Sequence, residues 1–236
     1  HLSLNGCHNL DHEMVTLLTP LTALTSLHLE YTSIIDDSLK ALIPLPLQRL
    51  SLGGPWISSS AIPHLSQMTQ LTQLSIKKSK LENISGLKKC VGLTDVNLSY
   101  CHFTDKSCSH FLKSQMTALK RLKVVNTPLS DSAFAEALKQ SQTNLIEWQL
   151  DGTLITATTL ESIGKSATSL LHLSFSRCEN ITKSGWGTYL KPLTQLVAVG
   201  AGSLNQQGGL GEILIQLLDR QAKLEVFSAA HSYVPM

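Results

Sequence analysis

Cys101, His102, Cys108 and His110 fall within one ten-residue stretch and are, by type, zinc ligands. A structural zinc site needs such nitrogen and sulfur donors at characteristic intervals, and this spacing fits no familiar module, so no metal is expected. The stretch Gly200–Gly211, GAGSLNQQGGLG, invites comparison with a phosphate-binding loop. It has Asn205 where the third glycine of G-x-G-x-x-G would stand and lacks a following Lys-Ser/Thr, so a small-residue turn is expected instead. Lys77, Lys78, Arg121 and Lys123 are the cations that could hold phosphates. With 19 Lys+Arg against 17 Asp+Glu, a net charge of +2 does not describe a chain dominated by nucleic-acid contacts. Binding of nucleic acid or phosphoinositide through these four would reveal itself as steep salt dependence.

Whether any of these groups converge depends on the elements that carry them. A chain of 236 residues with 42% hydrophobic and 15% charged residues can bury a large core. No apolar run approaches the roughly 20 residues of a membrane span. Aligned against itself, the sequence shows L-x-x-L-x-L followed by Cys, Thr or Ser, as in LTSLHLEYT from Leu24, LTDVNLSYC from Leu93 and LLHLSFSRC from Leu170. Further copies start at Leu47, Leu71, Leu119, Leu145, Leu196 and Leu224, and a truncated one, HLSLNGC, opens the chain. Alternation at Leu27 and Leu29, or Leu122 and Val124, puts those side chains on one face of a short strand. A single strand cannot bury that face, so neighbouring copies must stack. Second halves such as IIDDSLKAL, FTDKSCSHFL and LSDSAFAEAL start with Ser, Thr or Asp before apolar residues at helical spacing, and so predict helices. The Leu71 copy, with LENISGL, is short enough for a tight turn. Trp148 replaces a framework leucine and is expected in the core.

In period, leucine framework and terminal Cys/Thr, the chain resembles the leucine-rich-repeat family over essentially its whole length. That resemblance implies an α/β solenoid, a horseshoe of about ten repeats with a parallel concave sheet and convex helices. Residues 1–236 would form one domain, read as a fragment of a longer chain because it starts at His1 in a strand-like segment. CHFTD at Cys101–Asp105, varied with Thr at Thr127–Asp131, is similar to the cysteine-containing subtype of F-box substrate receptors. This implies substrate recognition for a ubiquitin ligase, or a bacterial effector of that design. An alternative from another class is the targeting or regulatory half of an enzyme whose catalytic domain lies elsewhere.

In such a solenoid the residues between the framework leucines form the open face. Ser51, Ser75 and Ser174 share one ladder there with His28, Asn97, Lys123 and Gln149. No serine is expected to have both a histidine and a carboxylate on neighbouring rungs, as a triad requires, so no enzyme is expected. Asp95, Arg121 and Glu147 should stand side by side about 4.8 Å apart as a ladder of alternating charge, whose plainest outcome is mutual neutralisation. Lys77, Lys78, Lys123 and Asp151 make the middle of the face bipolar. Tyr31 and Tyr100 lie at strand exits, where a wet hydroxyl and an apolar ring suit an interface. The expected site for a protein partner is therefore His28, Glu30, Tyr31, Lys77, Lys78, Asp95, Tyr100, Arg121, Lys123, Glu147 and Asp151. No cofactor, nucleic acid or membrane is expected. Five cysteines with no C-x-x-C predict free thiols and a reducing compartment, the cytoplasm or a host cytosol for a secreted effector.

Overall fold

Ten short parallel strands, one from each repeat, line up in chain order in a single sheet. They are β1 (Leu2–Ser3), β2 (Ser26–Glu30), β3 (Arg49–Gly53), β4 (Gln73–Lys77), β5 (Asp95–Asn97), β6 (Arg121–Lys123), β7 (Glu147–Gln149), β8 (His172–Ser174), β9 (Ala198–Gly200) and β10 (Val226–Ser228). This computed structural model describes residues 1–140, 143–181, 186–202 and 223–228. The glycine-rich stretch therefore lies outside the described residues from position 203 onward.

The pairing register follows the repeat register. Leu27, Leu50, Leu74, Val96, Leu122, Trp148, Leu173 and Val199 are successive partners across the sheet, and all are buried. A second buried column, starting with Leu29, Leu52 and Ile76, lies two residues further along each strand. Since successive side chains of a strand point to opposite faces, the intervening residues stand on the open face.

The second halves of the repeats divide by length. From Leu24, Leu47 and Leu71, copies 23, 24 and 22 residues long carry mainly 3₁₀ turns, at Asp36–Leu42, Ser59–Ala61 and Ser85–Lys89. From Leu93, Leu119 and Leu145, copies of 26, 26 and 25 residues carry the α-helices Asp105–Gln115, Ser132–Gln140 and Ala157–Ser166. IIDDSLKAL thus forms a 3₁₀ segment where helical spacing predicts an α-helix. With strand and turn lengths fixed by stacking, only the return segment can absorb the two to four missing residues, and the 3₁₀ form covers more distance per residue, about 2.0 against 1.5 Å. Among the described residues the α-helices are, in chain order, α1 (His12–Thr16), α2 (Ile62–Leu65), α3 (Asp105–Gln115), α4 (Ser132–Gln140), α5 (Ala157–Ser166) and α6 (Trp186–Leu190).

Aspartates at the starts of the return segments fasten each repeat to the next. The Asp36 carboxylate accepts from the Ser58 backbone N–H (2.8 Å) and hydroxyl (2.5 Å). Asp105 accepts from the Ser130 N–H (3.0 Å) and from the hydroxyls of Ser130 and Ser132. Asp131 accepts from the Thr156 N–H (2.9 Å), the Thr156 hydroxyl (2.6 Å) and the Thr159 hydroxyl (2.5 Å). Desolvation works to raise the Asp131 pKa, but the hydrogen bonds of Thr156 and Thr159 together outweigh it and hold the carboxyl below the ordinary aspartate value. A carboxyl depressed on folding contributes stability that is complete above about pH 4, its unfolded value, and is lost as pH falls through the native one. Asp131→Ala is therefore expected to cost about 1–2 kcal/mol at pH 7. Urea unfolding of both proteins at pH 7 and pH 3 checks this, and a difference that stays constant with pH would contradict the role of the ionised carboxylate.

All five cysteines are free thiols, with only Cys7 exposed. Cys101 and Cys178 occupy the turn position that Thr127 and Thr153 fill in other repeats, and like the threonines they donate to backbone carbonyls, at Ile76 and Leu150. Burial pushes the thiols of Cys90 and Cys101 up to about 11, so neither is a nucleophile near neutrality.

Candidate functional site

The open face carries three ladders. In the first, Ser26, Arg49, Gln73, Asp95, Arg121, Glu147, His172 and Ala198 are successive partners. In the second, one step along the open face, His28, Ser51, Ser75, Asn97, Lys123, Gln149 and Ser174 follow one another. The third begins with Glu30, Gly53 and Lys77 and continues through Asp151 at the ends of the strands.

Charges on these ladders are largely spent on one another. Arg121 Nη1 lies 2.6 Å from Asp95 Oδ1 and its Nε 3.6 Å from Glu147 Oε2, while Lys123 Nζ lies 2.7 Å from Glu147 Oε1. Glu30 Oε2 reaches Lys77 Nζ at 3.0 Å, although their repeats are separated by that of Gly53. Glycine between them suits a close approach of the backbones, since a Cβ there would stand 2.9 Å from the Lys77 carbonyl oxygen. Asp151 has no cation partner among the described residues and accepts hydrogen bonds from the Ser174 hydroxyl (2.5 Å) and the Ser176 N–H (2.6 Å).

One to three residues past the ends of β2–β8 the chain turns through the left-handed region, with positive φ at Tyr31, Gly54, Lys78, Tyr100, Asn126, Gly152 and Arg177. This position brings together three residues that the sequence marks separately. Lys78 Nζ lies 5.5 Å from the Tyr31 ring centroid and 5.7 Å from that of Tyr100, so one ammonium is shared by two exposed rings. Glycine or asparagine adopts the left-handed conformation at little cost, whereas tyrosine and lysine do so at about 1 kcal/mol or more each.

The catalytic and metal candidates do not converge. Contrary to the expectation that no serine has both partners nearby, Ser51 neighbours both His28 and Glu30. No relay results, because the Ser51 hydroxyl donates directly to Glu30 whereas His28 Nε2 bonds the Ser26 hydroxyl at 3.3 Å. Cys101 and Cys108 are buried while His102 and His110 are not, and no group of three His, Cys, Asp or Glu side chains among the described residues could hold a metal ion.

Sequence reasoning passed over Arg49, although it occupies the same ladder as Asp95, Arg121 and Glu147. Together with His28, Glu30, Ser51, Ser75 and Arg121 it lines a shallow hollow of about 300 Å³ over β2–β6. A second, of about 360 Å³, lies over β7–β10.

Parallel strands in unbroken order, return segments behind them and an open polar face in front define a leucine-rich-repeat solenoid. No protein-family model and no curated relative matches the chain. Among solved structures it is similar to an internalin (inlF) of Listeria monocytogenes, with 18% identity, a TM-score of 0.68, and coverage of 94% of this chain and 65% of that one. Internalin C2 (inlC2) of the same organism gives 17% identity, a TM-score of 0.64 and coverage of 85% and 79%. A chain of the Rad7–Elc1 complex of yeast gives 18% identity and a TM-score of 0.73 over 98% of this chain and 62% of that one. The chain thus spans less than two thirds of the length of two of these proteins, and at such identities the likeness establishes the fold. No helix among the described residues is long and apolar enough to cross a membrane.

Proposed function

We propose that the chain is a protein-interaction scaffold whose concave face binds an extended segment of a protein partner, a binding rather than a catalytic role. The observation that carries this reading is the combination, on one face that no described residue covers, of partly buried ion pairs with a strained rim of Tyr31, Lys78 and Tyr100. Strained residues persist where the surroundings hold them for use, and tyrosine is enriched where partners dock. The similar yeast chain comes from a complex with another protein. Substrate recognition for a ubiquitin ligase is the narrower form of the proposal, supported by CHFTD at Cys101–Asp105, and the buried thiols suit a reducing compartment such as the cytoplasm. The reading places the partner against the eleven residues from His28 to Asp151 marked by the sequence.

Reversing charge at Lys77 and Lys123 together (Lys77→Glu, Lys123→Glu) is expected to weaken a partner captured on the folded chain at least tenfold, or about 1.4 kcal/mol. Each ion pair lost is worth up to about 1 kcal/mol, so thermal melts should still show a folded protein. Lys40→Glu with Lys139→Glu is the convex control, each lysine being paired on its own return segment with Asp37 or Glu136. Equal loss from both double variants would mean nonspecific electrostatics, and loss only from the convex pair would refute the concave site.

A further inference from the structure

We propose that the hollow over β2–β6 receives an acidic side chain of the bound segment and that Arg49 is the residue that selects it. This rests on the reading of the concave face as a peptide-binding surface and adds to it the chemistry of the occupant.

The argument starts from two arginines on one ladder. Arg121 stands between Asp95 and Glu147 and is paired with both. Arg49 stands between Ser26 and Gln73, neither of which carries charge. Among the described residues Arg49 has no carboxylate partner, and it is exposed at the wall of the hollow. The other charges lining the hollow are committed: Glu30 to Lys77 and the Ser51 hydroxyl, Asp95 to Arg121, and Lys123 to Glu147. The one unspent charge facing the space is therefore positive.

The remaining walls are compatible with that sign. The Ser75 hydroxyl and the Gln73 side-chain amide line the hollow without a protein partner among the described residues, and both can donate. A guanidinium binds carboxylate through two parallel N–H donors, which fixes direction as well as charge. A basic side chain would meet Arg49 with no free carboxylate to receive it. At about 300 Å³ the space lies at the low end for ligand pockets, which suits one or two side chains of an extended segment.

Panning a random dodecapeptide phage library on the folded chain tests this without a known partner. Peptides selected by the wild type are expected to be enriched in Asp or Glu at one position, and Asn or Gln there should weaken binding at least about tenfold. The same peptides should bind Arg49→Glu at least about tenfold more weakly, with an unchanged melting temperature because Arg49 makes no internal ion pair. Panning on Arg49→Glu should shift the preference to Lys or Arg, a reversal that a merely structural role would not produce. Lys113→Glu on α3 should leave selection unchanged. If selected peptides carry no acidic preference, or keep it against Arg49→Glu, while binding is still lost in the Lys77→Glu, Lys123→Glu variant, this inference fails and the concave-face reading stands. If they bind that double variant as well as the wild type, the concave-face reading fails. Enrichment of no peptide at all would overturn both.

Discussion

Trp148→Ala is expected to lower the free energy of unfolding by about 3–5 kcal/mol, the range for truncating a buried large aromatic. The indole is wholly buried in the framework column between Leu122 and Leu173, and its ring meets that of Phe134 edge-on, at 5.5 Å between centroids and 75° between planes. Neighbours on both sides are held by sheet pairing to adjacent repeats, so they cannot collapse into the space left behind. Working against this, the indole N–H is buried without a hydrogen-bond partner, a defect of about 1–3 kcal/mol that any apolar replacement removes. Trp148→Leu restores the residue that other repeats place here and fills part of the volume. Since alanine relieves the orphaned donor equally, the difference is one of volume, and leucine should cost at least about 2 kcal/mol less than alanine. Urea unfolding of the three proteins decides. A Trp148→Ala midpoint equal to wild type would mean that the side chain faces solvent and that the register of this repeat is misread.

That register was legible in the sequence because one physical requirement, a strand that buries alternate leucines against identical neighbours, repeats at every copy. Trp148 could be placed in the core, and Asp95, Arg121 and Glu147 on one ladder, by counting from the framework alone. What counting could not give was the form of the return segments. Asp36–Leu42 carries helical spacing but sits in a 23-residue copy, so the stacking distance overrides local preference. Pairings between non-adjacent repeats were also hidden. Glu30 meets Lys77 across the repeat of Gly53, and this depends on side-chain reach across two rungs. The Tyr31–Lys78–Tyr100 cluster was within reach, since all three stand four residues past a framework position, yet it becomes visible only when the ladder is followed beyond the ends of the strands. Arg49 was overlooked for the opposite reason: its importance lies in uncharged neighbours, and an unpaired charge stands out only when the pairs around it are known.

Gly164→Val is expected to cost about 3 kcal/mol, and Gly164→Ala about 2 kcal/mol, although local preference predicts the opposite sign. Gly164 lies inside α5, where alanine is favoured over glycine by about 1 kcal/mol. A Cβ built on it would stand 2.0 Å from the Tyr189 carbonyl oxygen, 3.1 Å from the carbonyl carbon and 3.8 Å from Pro192 Cδ. These are backbone and ring atoms at the end of α6, which cannot rotate away as a flexible side chain would. Making room requires parting α5 from the next repeat, and overpacking of this kind costs up to about 3 kcal/mol or somewhat more, which exceeds the gain in helix preference. Valine adds two branches to the same collision. Because the clash lies between repeats rather than within the helix, the loss should appear as lower stability with helical content retained, measured by urea unfolding and circular dichroism. A Gly164→Ala protein more stable than wild type would show that α5 and α6 stand farther apart than this packing requires, with intrinsic helix preference left as the deciding effect.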